Sequence, residues 1–126
     1  MKNASKVNPV LTLNYMTTEH ENKCFDRKSA RIRVSDLAPH ISGFANADGG
    51  TLVIGISDKT MELEGINSVG EEKINSLINA PKDGCKPMPK YQEEFLEITN
   101  SKGNPGRLLL LHIFGSVDQI KRGDDV

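Results

Sequence analysis

The sequence predicts an α+β fold: a mixed sheet of about five strands with two main helices, in a single domain. Three observations carry this. Residues 51–57 and 108–114 (LLLLHIF) are apolar at successive positions, as in strands buried on both faces. Leu37, Ile41, Phe44 and Ala45 recur at helical spacing, as do Ile74, Leu77 and Ile78. Two strand-like runs, 91–99 and 107–114, flank the turn-rich SKGNPG and read as a hairpin. At 126 residues the chain is long enough for one hydrophobic core. With 5% aromatic residues and no Trp, that core has to be aliphatic.

Residues 1–18 read as an extended arm, broken by Pro9, with Val10, Leu11, Leu13 and Tyr15 able to dock on a domain spanning 19–126. Residues 23–28 form the first expected strand. Ser35 is a suitable N-cap for the first helix, and Asp36 favours its positive end. Pro39 is tolerated only in a first turn, which agrees with a start near Ser35. The pair Gly49 and Gly50 ends the helix. The strand at 51–57 follows, then a turn at 58–60 and a brief strand at 63–66. A second helix covers 71–80, with Glu71 and Glu72 favouring its start. Pro81, Gly84, Pro87 and Pro89 make 81–90 a loop before the hairpin. The closing KRGDDV resembles a turn leading into a strand, an expectation of a longer protein with a further domain.

Net charge is −1 and the isoelectric point about 6.3, so global charge points to no polyanion partner. Local charge does. Lys23, Arg27, Lys28, Arg31 and Arg33 face Asp26 alone within 23–33, forming one basic segment or a solvated cluster. Cys24 and Cys85 stand in no metal or disulfide spacing, and His20, His40 and His112 show no ligand pattern. No apolar run approaches the roughly 20 residues that span a bilayer, and the N-terminus is not a signal peptide. The expectation is a cytoplasmic protein with no membrane partner.

Three constellations bear on chemistry. Glu21, Asp26 and Asp58 end or bracket neighbouring strands, and three converging carboxylates suit Mg²⁺ or Mn²⁺ and phosphodiester hydrolysis. Lys28 beside them offers a point charge for phosphate. The other reading is three surface acids. The Asp48-Gly49-Gly50 turn, with Asn46 nearby, is either an anion nest or a helix cap. GINSVG, from Gly65 to Gly70, has the spacing of a phosphate loop but is followed by Glu71 and Glu72, which would repel a triphosphate.

Three segments resemble one family. Glu21 to Lys28 (ENKCFDRK) follows the pattern E-x-x-x-x-E-F-K. Ile41 to Asp58 (ISGFANADGGTLVIGISD) follows a helix–turn–strand pattern, and Leu108 to Ser116 follows a later strand and polar turn. The chain thereby resembles the Schlafen-type, AlbA-like DNA-binding domain, formerly grouped with divergent AAA proteins. The resemblance covers about 19–126. It implies an α+β nucleic-acid-binding module of bacterial transcriptional regulators, often dimeric. It also implies that Glu21, Asp26 and Asp58 stand where some relatives hold a metal-dependent ribonuclease centre. The chain departs from the pattern at Asp26, which replaces Glu, at Arg27, which replaces a buried Phe, and at Gly43, often Ala. That glycine would let the helix pack closely on a strand.

The leading expectation is a DNA- or RNA-binding module contacting phosphates through Lys23, Arg27, Lys28, Arg31, Arg33, Asn46, Gly49 and Gly50. A metal-dependent nuclease using Glu21, Asp26 and Asp58 is the enzymatic alternative. A homodimer built through the hairpin edge or the arm is the third reading.

Overall fold

The computed structural model describes residues 13–18, 21 and 24–115. His20, Lys23, residues 1–12 of the arm and the C-terminal 116–126 lie outside the described residues. The elements in chain order are α1 (Leu13–Thr18), β1 (Phe25–Lys28), a 3₁₀ turn (Val34–Asp36), α2 (Ala38–Ala45), β2 (Gly49–Ile54), α3 (Glu71–Ile78), α4 (Ala80–Gly84), β3 (Tyr91–Thr99) and β4 (Pro105–Phe114). The strands form one mixed sheet in the order β1-β2-β4-β3. β1 runs parallel to β2, with Asp26 beside Leu52, and α2 lies in the crossover. β2 and β3 both pair antiparallel with β4.

The two-faced apolar runs occupy the centre of this sheet. On one face Leu52, Ile54, Leu109, Leu111 and Ile113 pack with Leu37, Ile41 and Phe44 around α2, and with Ile74 and Leu77 of α3. On the other, Val53, Leu108 and Leu110 pack with Phe25, Ile56, Ile98 and Met16. Fully burying each such side chain contributes about 1.5–3 kcal/mol, so the two clusters fix β2 and β4 as the sheet interior. No helix among the described residues is long and apolar enough to cross a membrane.

Four strands replace the expected five. Residues 63–66 do not form a strand; Leu63 makes one bridge to Ile56. The amides of Glu64 and Gly65 both donate to the Gly55 carbonyl, at 2.9 and 2.7 Å, and Gly65 has φ +81°, so the chain turns instead of extending. Leu13–Thr18 is helical rather than extended: Met16 is buried, and the Tyr15 ring meets Phe25 edge-on at 5.5 Å. Ser35 lies in the 3₁₀ turn, and Leu37 stands at the N-cap of α2 without a side-chain cap bond. Pro39 does fall in the first turn. Part of the expected loop at 81–90 is the short α4, because Pro81 sits in a first turn, where its missing N–H costs nothing.

The double glycine begins β2 rather than capping α2, whose C-cap is Asn46. Gly49 has φ +91°, and a Cβ there would meet the Ile113 carbonyl; a Cβ on Gly50 would enter the Phe44 ring. These two glycines let β2 lie flush on β4 and beneath α2. Gly43 is the opposite case. A Cβ there meets nothing within 4 Å, so this glycine does not serve a close helix–strand contact.

Candidate functional site

β1 sorts its side chains by alternation. Phe25 and Arg27 point to one buried face; Asp26 and Lys28 point to the other and remain partly exposed. The parallel crossover then sets the first turn of α2 over Asp26. There His40 Nδ1 lies 3.0 Å from Asp26 Oδ2. Lys28 Nζ bridges two acids, 3.2 Å from Asp58 Oδ2 and 3.8 Å from Asp26 Oδ1. The exposed Glu21 accepts a bond from the Arg27 amide through Oε2 at 3.3 Å. Glu21, Asp26, Pro39, His40, Gly43, Phe44 and Ala47 line one cavity of about 450 Å³.

The electrostatics follow from burial. The Asp26 carboxyl is 13% exposed, and its Oδ1 is buried without a hydrogen-bond partner. Desolvation pushes it up to about 7, the neighbouring Glu21 adds to the rise, and Lys28 opposes it. His40 is lowered, first by burial and then by Lys28.

The three acids expected from the sequence are thus drawn to one region by different contacts. Asp26 and Asp58 share Lys28, while Glu21 and Asp26 share the cavity. Among the described residues no group of three His, Cys, Asp or Glu side chains is arranged to hold a metal ion. Asp26 Oδ2 is engaged by His40.

The basic residues divide. Arg31 and Arg33 are exposed on the segment leaving β1, Arg33 also meeting Asp36 at 3.1 Å. Arg31 lines a second cleft, about 310 Å³, with Glu62, Glu64 and Lys102. Arg27 does not join them. It is 1% exposed, donates from Nε to the Met16 carbonyl at 2.8 Å, and lies 4.9 Å over the Phe25 ring. Its alkyl stem and flat guanidinium fill the place the family pattern gives to phenylalanine, a use open to arginine and not to lysine. Gly49 is buried and Gly50 half-buried, both in the sheet, and Asn46 is exposed at the end of α2.

His40 is the site residue that the sequence conceals. A histidine inside a helix has the same pattern whether it packs, faces water or meets a carboxyl; only its i, i+3 relation to Gly43 marks a shared face of α2. His112, by contrast, is a satisfied core histidine. Its Nδ1 lies 2.9 Å from Thr51 Oγ1 and its Nε2 2.8 Å from Glu94 Oε1, a chain across three strands.

The fold and this cavity define a small α+β domain with a carboxyl–imidazole pair at the edge of a mixed sheet. Residues 17–124 match the family model described as Schlafen, AlbA_2. The chain belongs to that Schlafen, AlbA_2 family.

Proposed function

We propose that this domain binds nucleic acid through phosphate contacts, as a module of a bacterial transcriptional regulator whose partners include a second copy and a further domain of the full-length protein. The supporting observation is that Arg31 and Arg33, two residues apart on the segment that leaves β1, are both exposed. Membership of the Schlafen, AlbA_2 family adds weight. Such contacts position a nucleic acid without reading its sequence and release counterions as they form.

Fluorescence anisotropy with a labelled duplex DNA and a stem-loop RNA, over roughly 25–300 mM salt, tests the proposal. Binding that weakens steeply and linearly on a log–log plot is expected. A flat response, or no binding at the lowest salt, overturns it.

A further inference from the structure

β3 is the last strand of the sheet, and among the described residues no strand pairs with its outer side. The ladder with β4 fixes which groups face that side. Just before β3, the Phe114 amide donates to the Lys90 carbonyl at 3.0 Å; just after it, the Asn100 amide donates to the Asn104 carbonyl at 2.7 Å. Both pairs continue the register that runs from Tyr91↔Ile113 to Thr99↔Pro105. Hydrogen-bonded and non-bonded pairs alternate in an antiparallel ladder, so the even-numbered residues of β3 are the ones bonded to β4. Pro105, which has no amide to give, stands opposite Thr99 in agreement with this phase. Tyr91, Glu93, Phe95, Glu97 and Thr99 therefore turn amide and carbonyl away from the sheet.

The same five residues share one face. Glu93, Phe95 and Glu97 are exposed on it, the ring by 37%. Arg107 stands opposite Glu97, but its guanidinium lies 4.4 Å over the Phe95 ring. Glu93 and Glu97 form no ion pair among the described residues, whereas Glu94, on the other face, meets His112. β3 (YQEEFLEIT) holds three glutamates and no cation, so a strand that adds to it has to bring positive charge. The same charge disfavours a second copy: symmetric pairing centred on Phe95 sets Glu93 against Glu97 twice.

We infer that the outer edge of β3 receives an extended segment of a partner protein by strand addition, with Lys or Arg at two alternate positions and an apolar residue between them. The outward amides and carbonyls hold its backbone. Its cations meet Glu93 and Glu97, and its apolar residue covers Phe95. This surface is separate from the arginines that bind phosphate in the reading above and does not depend on them.

The test is amide hydrogen exchange of the whole chain with a synthetic peptide that alternates lysine and valine. The controls are a peptide alternating glutamate and valine, and the lysine peptide N-methylated at alternate residues. The expected result is slowed exchange at Tyr91, Glu93, Phe95, Glu97 and Thr99 with the lysine peptide alone. The double variant Glu93→Gln/Glu97→Gln should bind it about fivefold more weakly, the scale of two exposed ion pairs. The buried β4 amides of Leu109 and Leu111 check that the variant is folded. No binding of the lysine peptide, binding that leaves these five amides unprotected, or equal binding of either control overturns the inference. Protection of the same amides in the chain alone, growing with its concentration, gives the edge to a second copy and overturns it too.

Discussion

Asp26 Oδ2 and His40 Nδ1, 3.0 Å apart, tie the edge strand β1 to the first turn of α2 and form the polar end of the cavity. One residue follows a cysteine-phenylalanine pair in the chain and the other follows a proline. Only the parallel crossover brings them together.

The burial of Asp26 makes stability depend on pH in a defined direction. The folded Asp26 titrates near 7 against 3.8 ordinarily. Below the lower value both folded and unfolded chains are protonated. As pH rises through the window between the two, the unfolded chain releases a proton that the fold retains, so stability falls and levels off above about 7. His40, lowered in the fold, works in the opposite sense: its cost applies below its ordinary value of 6.5 and is relieved as pH rises. Asp26→Asn removes the first effect alone. In denaturant unfolding, its stability relative to wild type should rise between about pH 4 and 7 and then stay constant; a difference that is flat with pH contradicts the assignment.

Arg27 is expected to matter for folding rather than for ligand. Arg27→Ala removes a guanidinium bond to a buried carbonyl and the packing on Phe25, and should destabilise by roughly 2–3 kcal/mol. Lysine should not restore the loss, because an ammonium lacks the flat face. Denaturant midpoints of the two variants check this.

Arg31 and Arg33 should behave in reverse. Both are exposed, so Arg31→Gln/Arg33→Gln should shift stability by less than about 0.5 kcal/mol. If each contacts a phosphate, the same double variant lowers the slope of log affinity against log salt by about 2.

The glycines offer a contrast within a few residues. Gly50→Ala drives a methyl into the Phe44 ring and should destabilise by about 1–3 kcal/mol. Gly43→Ala meets open space and should stabilise by up to about 1 kcal/mol. Thermal melts of the two single variants read the difference.

What the sequence displays is what local periodicity encodes. The runs 51–57 and 108–114 announce buried strands because adjacent residues are apolar, and β2 and β4 prove to be the sheet interior. Pro39 marks the first turn of α2 because its ring admits no other helical place. The features that stay hidden depend on distant partners. Leu63 and Ile66 look strand-like, yet Gly65 bends the chain onto the Gly55 carbonyl. Arg27 looks like a phosphate ligand until α1 brings the Met16 carbonyl to it. Glu21, Asp26 and Asp58 are legible as strand-end acids, but that Lys28 lies on both Asp26 and Asp58, and that His40 meets Asp26, depends on the three-dimensional fold.

The most direct test of the proposed binding face is a titration of the isotopically labelled chain with a short stem-loop RNA, followed by amide resonances. The account predicts shifts centred on Arg31 and Arg33, with the far strand from Tyr91 to Thr99 unmoved. Shifts confined to that far strand, or none at all at low salt, would contradict it.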